Sequence, residues 1–189
     1  MKNAIRSILE SSIEVKRLTL EANIDIIEKI SLACIHCLKN GGTLFFFGNG
    51  GSAADAQHVA AEFIGRFQKE RVALSAIALT TDTSILTCLS NDYSYDIVFS
   101  RQLEALGRKG DMAFGLTTSG KSPNVLKAFE VAKAKGISTV AFVGGDGGPA
   151  ALAAEMSVIV PSKVTARIQE SHITVFHAMC EVVENAFVK

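Results

Sequence analysis

No excess of charge marks this sequence: 19 lysines and arginines face 19 aspartates and glutamates. A protein that grips nucleic acid by bulk electrostatics carries a basic surplus or a basic run, and neither is present. Long apolar runs are missing too. None approaches the roughly 18 uninterrupted residues of a membrane-spanning helix, so no membrane partner is expected. The opening MKNAIRSILESSIEVKR is polar and mixed in charge, unlike a secretory leader. Cysteine is scarce. Cys34 and Cys37 form a CxxC, but it lies in a helical pattern and has no second CxxC to complete a metal site; Cys88 and Cys180 stand alone. We read them as free thiols, mostly buried, with a redox or metal role as the alternative. Reduced cysteines fit a cytoplasmic protein. No low-complexity segment or long linker divides the chain.

What is present is an ordinary globular composition. The 189 residues are 48% hydrophobic and 20% charged, enough for one domain with a substantial core. Residues 1–40 read as a helical region and 41–189 as an α/β core. Ile5, Ile8 and Leu9, then Ile27, Ile30, Cys34 and Cys37, recur at helical spacing until Gly41-Gly42 ends the pattern. Strand and helix signals then alternate. Strands are expected at 43–47, 74–79, 113–117, 139–143 and 156–160. Helices are expected at 52–67, 82–89, 96–106, 123–135 and from 165 to about 188. Strands this apolar are buried on both faces, which predicts a parallel sheet covered by helices. Such sheets bind ligands beyond the carboxyl ends of their strands.

Two loops lie at such ends. The first is Gly48-Asn49-Gly50-Gly51-Ser52. Its glycines let backbone N–H groups approach an oxyanion at a helix start. It lacks the GK[ST] of a Walker A loop and the spacing of GxGxxG, so a dinucleotide is not expected. The plain alternative is a tight strand-to-helix turn. The second loop is Thr117-Thr118-Ser119-Gly120-Lys121-Ser122-Pro123-Asn124. Four hydroxyls converge on a helix start where Pro123 suits the first turn, a good site for a phosphate monoester. The alternative is an N-cap with spare serines.

Two helices add chemistry. His58 and Glu62 stand one turn apart on one helix face, as an acid/base or metal pair or as a plain surface pair. On the last helix, Gln169 and His177 are eight residues apart, about two turns, so both can face one site. Two imidazoles, a carboxylate and an amide oxygen would make a plausible zinc set, if the two helices meet. His172 is expected to be structural and His36 to lie on a helix surface.

Taken together, GNGGSAADAQHVAAEFIGRF, ALTTDTS, SNDYSYD, TTSGKSPNV and TARIQESHITVFH resemble the motifs of the phosphoheptose isomerase family, in that family's order and over nearly the whole chain. The resemblance implies the sugar isomerase (SIS) fold: a three-layer sandwich with a central parallel sheet flanked by helices, and N-terminal helices for oligomerisation. It implies interconversion of D-sedoheptulose 7-phosphate and D-glycero-D-manno-heptose 7-phosphate, the first step toward nucleotide-activated heptose for lipopolysaccharide, capsule or another glycan. It also implies a homotetramer with one zinc per subunit. Carried over by motif, His58, Glu62, Gln169 and His177 are the zinc ligands, and Glu62 and His177 the acid/base pair. Asn49, Gly50, Gly51, Ser52, Glu62, Asn91, Asp92, Thr117, Thr118, Ser119, Ser122 and Gln169 are the substrate contacts. Asp55 and Arg66 match polar positions near the site. The alternative is a non-catalytic relative of the same fold that binds the chromosomal replication initiator. It is similar across GNG-S-A and ARIQE but lacks the equivalents of Glu62 and His177.

Overall fold

The computed structural model describes residues 1–188. Helix α1 (Lys2–Lys39) comes first, followed by strand β1 (Leu44–Gly48) and helix α2 (Gly51–Ile64). Strand β2 (Ala76–Ala78), helix α3 (Thr83–Asp92), a 3-10 turn at Tyr95–Ile97 and helix α4 (Ser100–Leu106) come next. The chain continues through β3 (Met112–Thr117), α5 (Pro123–Ala134), β4 (Ser138–Gly144), α6 (Gly148–Ala153), β5 (Met156–Val160) and α7 (Thr165–Asn185).

The five strands form one parallel sheet in the order β2-β1-β3-β4-β5. Its central strands are buried along their whole length, which is why they read as continuous apolar runs. Alternate residues feed two cores. Leu44, Phe46, Phe114 and Phe142 face α1, α2 and α7, where Phe142 stacks on Phe176 with ring centroids 4.0 Å apart. Phe45, Phe47, Ala113 and Val143 face the layer built from α3 to α6. The result is the helix-covered parallel sheet that the strand pattern predicts and the three-layer sandwich that the resemblance implies.

The N-terminal region departs from expectation. Several helices are expected there, and a single helix of 38 residues is found. No glycine or proline interrupts residues 2–39, so nothing breaks the backbone ladder. Its C-terminal half packs on the sheet through Ile30, Cys34 and Cys37. Elsewhere it leaves a row of large apolar side chains more than half exposed: Ile5, Ile8, Leu9, Ile13, Leu20, Ile24 and Leu32. Asn23 seats the helix on β5, its amide donating to the Ile159 carbonyl at 3.0 Å and accepting from the Ile159 N–H at 2.9 Å. Arg167 and Glu170 of α7 hold its first half, bonding the Ile8 carbonyl and the Ser12 hydroxyl at 2.8 and 2.7 Å.

Smaller departures have local causes. The expected helix 96–106 is split, because Ser94 caps a separate 3-10 turn. Helix α2 stops at Ile64, before Gly65, rather than at Phe67. Helix α6 is absent from the sequence reading; with six residues it has too few turns to show a period.

Candidate active site

The strand order reverses between β1 and β3, and in open parallel sheets that crevice is where ligands bind. Both loops singled out in the sequence leave the sheet there. They are tied together by a reciprocal amide pair. Asn49 Nδ2 donates to Asn124 Oδ1 at 3.0 Å, and Asn124 Nδ2 donates to Asn49 Oδ1 at 2.9 Å. The Tyr95 hydroxyl adds a third bond, to Asn49 Oδ1 at 3.1 Å. Neither Asn124 nor Tyr95 stood out in the sequence as a site residue. The only signal for Asn124 is an amide at a helix start; its burial, at 2% exposure, is visible only in the fold.

The hydroxyl loop turns inward. Ser122 occupies the N-cap position of α5 but makes no side-chain cap bond. Its Oγ instead lies 2.9 Å from Thr117 Oγ1, which in turn is 3.5 Å from Ser119 Oγ. Gly120 supplies the left-handed residue this turn requires, at φ +67°, with the Gly147 carbonyl too close to admit a Cβ. Hydroxyls and the N-terminus of α5 thus share one small cavity of about 220 Å³, lined by Asn49, Ser52, Thr117–Ser119, Ser122, Thr165 and Gln169. Gln169 reaches this cavity by packing against Gly51. A second cavity of about 390 Å³ continues past Thr118, Ser119 and Thr165 to Lys121 and Lys163.

A second cluster lies farther along the same two helices. His58 Nε2 is 3.3 Å from Glu62 Oε1 and 2.9 Å from His177 Nε2. The donor atoms of these three residues all fall within 4.8 Å of one another, a spacing that one divalent cation can span. Two imidazoles and a carboxylate suit zinc among the common ions. The His177 ring has its centroid 5.1 Å from that of the His58 ring and 5.4 Å from that of the Phe67 ring. Asp55, one turn before His58, is half-buried, and burial raises its carboxyl pKa while His58 opposes the rise.

The eight-residue spacing of Gln169 and His177 gives a common helix face but not a common point. At 1.5 Å per residue they stand about 12 Å apart along α7. Within one chain, Gln169 therefore lines the hydroxyl cavity while His177 belongs to the His–Glu–His cluster. Asn91 and Asp92 close α3, exposed and bonded to each other at 2.8 Å. Arg66 is exposed and faces Glu70 at 3.9 Å. His172 is fully buried, edge-on to Phe142 and 3.2 Å from the Val143 carbonyl, as its structural reading requires. Cys34, Cys37 and Cys180 are buried free thiols and Cys88 is an exposed one. Burial pushes the Cys37 thiol up to about 11 and that of Cys180 to about 12, so neither is a ready nucleophile.

The SIS domain model matches residues 9–144. A curated phosphoheptose isomerase of Roseiflexus sp. is 54% identical over 93% of this chain and 89% of its own. Another, from Aquifex aeolicus, is 50% identical over 97% and 96% of the two chains. This chain belongs to the phosphoheptose isomerase family. Membership extends to the backbone: the solved phosphoheptose isomerase of Neisseria gonorrhoeae superposes with a TM-score of 0.92 at 41% identity, covering 97% of this chain and 98% of that one.

Proposed function

We propose that the protein interconverts D-sedoheptulose 7-phosphate and D-glycero-D-manno-heptose 7-phosphate. One observation carries the reading: identity of about one half to curated phosphoheptose isomerases over nearly the full length of both chains. The site chemistry supports it. Thr117, Ser119, Ser122 and the N-terminus of α5 hold the phosphate, far from the reacting carbons, and supply positioning energy. Asn49, the Gly50-Gly51 backbone, Ser52, Thr118 and Gln169 orient the sugar, together with Asn91 and Asp92. Aldose–ketose exchange moves a proton between C1 and C2 through an enediol, so it needs an acid, a base and help for the developing oxyanion. Glu62 and His177 carry that proton. His58, Glu62 and His177 of one chain, with Gln169 from a neighbouring subunit, are the proposed zinc ligands, and zinc bound there would polarise the sugar oxygens.

We further propose a homotetramer in which α1 packs between subunits and the sites lie near subunit boundaries. The exposed apolar row on α1 supports this, since a helix of a monomer rarely leaves seven such residues in water. A subunit boundary would also let a neighbour bridge the two turns that separate Gln169 from His177. Free thiols agree with a cytoplasmic setting. Turnover of sedoheptulose 7-phosphate by the purified protein, with the product identified, tests the reading. Glu62→Gln should keep substrate binding and lower kcat by about 10²-fold or more. A protein that turns over no heptose phosphate overturns it. Affinity for the replication initiator would then favour the non-catalytic relative.

A further inference from the structure

Behind the His58–Glu62–His177 cluster lies an ion pair whose two side chains are almost completely enclosed. Arg71 and Glu184 are 1% and 2% exposed, with Arg71 Nε 3.5 Å from Glu184 Oε1. Glu184 sits two turns beyond His177 on the same face of α7. Its Oε1 accepts from the Phe67 N–H at 2.8 Å, and its Oε2 accepts from the Gln68 and Lys69 N–H groups at 2.8 Å each. One carboxylate therefore gathers three consecutive backbone amides of the loop that follows α2. Arg71 closes the other side. Its Nη2 donates to the Glu62 carbonyl at 2.7 Å, and its Nη1 to the Phe63, Gly65 and Val72 carbonyls at 2.8, 3.0 and 2.9 Å. The Glu62, Phe63 and Gly65 carbonyls close the C-terminus of α2, where no intrahelical partner satisfies them, and Val72 lies in the loop beyond.

Three elements of the cluster meet in this network. Arg71 grips the backbone of Glu62 itself. Glu184 grows from the helix that carries His177. The loop that follows α2 places the Phe67 ring against His177, with ring centroids 5.4 Å apart. Stability alone gives little reason for the pair, because a well-packed apolar pair in its place is often as stable or more so. What an apolar pair cannot supply is the set of hydrogen bonds that ties the backbone at the end of α2 and in the loop after it to α7.

We propose that Arg71, Glu184 and Phe67 are positioning residues for the proton-transfer and metal-binding cluster. The pair sets the spacing of Glu62 and His177, and the Phe67 ring holds the His177 imidazole in its working orientation. The inference rests on the reading of that cluster given above. Partners that orient metal-binding and catalytic groups typically contribute about 10- to 100-fold in metal affinity or activity.

Phe67→Leu is the decisive variant, because it removes the ring and leaves the ion pair and its backbone bonds untouched. Glu184→Gln is its companion, keeping the shape but removing the charge opposite Arg71. His177→Ala is run beside them. For each, kcat and KM with sedoheptulose 7-phosphate, zinc affinity by calorimetry and Tm are measured. Positioning predicts that Phe67→Leu lowers kcat about tenfold, shifts KM less than twofold and weakens zinc binding about tenfold, with Tm near wild type. Glu184→Gln should show the same pattern, more strongly, in whatever fraction is folded. The inference is overturned if His177→Ala abolishes turnover while Phe67→Leu keeps kcat and zinc affinity within twofold of wild type, whatever happens to Tm. If His177→Ala itself retains turnover and zinc affinity, the reading of the cluster falls, and the positioning role falls with it.

Discussion

Gly51→Ala separates the fold from the site at a single atom. Gly51 opens α2 with a backbone that alanine can adopt, since its φ lies outside the left-handed region. An added Cβ would meet Gln169 Nε2 at 2.6 Å, and Gln169 Cδ and Oε1 at 3.0 Å. Those distances are well inside ordinary contact, but the obstacle is the tip of a flexible side chain, so Gln169 swings away and the backbone stays. Stability should hold or rise by a few tenths of a kcal/mol, because alanine is the better helix former. Function should not hold. A hydrogen bond from a displaced amide is worth about 0.5–1.5 kcal/mol, so kcat/KM should fall about twofold to tenfold. Steady-state kinetics on Gly51→Ala, Gln169→Ala and the double variant test the route. If the methyl acts only by evicting Gln169, the double variant equals Gln169→Ala, and the coupling energy equals the whole Gly51→Ala effect. Additive losses would refute this account, as would wild-type kinetics in Gly51→Ala.

Three further outcomes are expected. Ser119→Ala and Ser122→Ala should each weaken apparent affinity for the sugar phosphate about tenfold, since a hydrogen bond to a charged group is worth about 1.5–3 kcal/mol; unchanged kinetics in both would place the phosphate elsewhere. Light scattering at micromolar concentration should give the mass of a tetramer, and Ile8→Lys with Leu9→Lys on α1 should lower it; a monomeric wild type defeats the assembly. Burial pulls the His172 imidazole down from 6.5 to about 4 in the folded state. The unfolded chain takes up this proton first as pH falls, so the wild type should lose about 3 kcal/mol between pH 6.5 and 4 that a His172→Met variant does not; parallel acid limbs in urea titrations would contradict it.

Much of the fold is legible because its core strands are buried on both faces. Residues 44–48, 112–117 and 138–144 read as apolar runs, and apolar runs alternating with helical periods mean a parallel sheet. The two loops are legible for a related reason: glycines and hydroxyls directly after such strands have little packing role. Contacts made across the chain are not legible. Asn49 and Asn124 are ordinary loop amides until the β1–β3 neighbourhood brings them together. Arg71 and Glu184 look like surface charges in sequence, because nothing local says that two helix ends will enclose them. The distance from Gln169 to His177 is hidden for a different reason. Spacing of eight residues reports a shared face, and only the packing of α7 against Gly51 reports where along that face each side chain is used.

The seat of Asn23 on Ile159 bears on how this molecule meets copies of itself. An open sheet has two rims, and each is a template on which a foreign strand could polymerise. The β2 rim is three residues long, too short to recruit much. At the β5 rim the outward amide and carbonyl of Ile159 are both taken by a side chain that imitates a peptide group. Recruitment of a strand there requires α1 to lift off first, so the helix that leaves a row of apolar side chains exposed also guards the rim where disorderly assembly would begin.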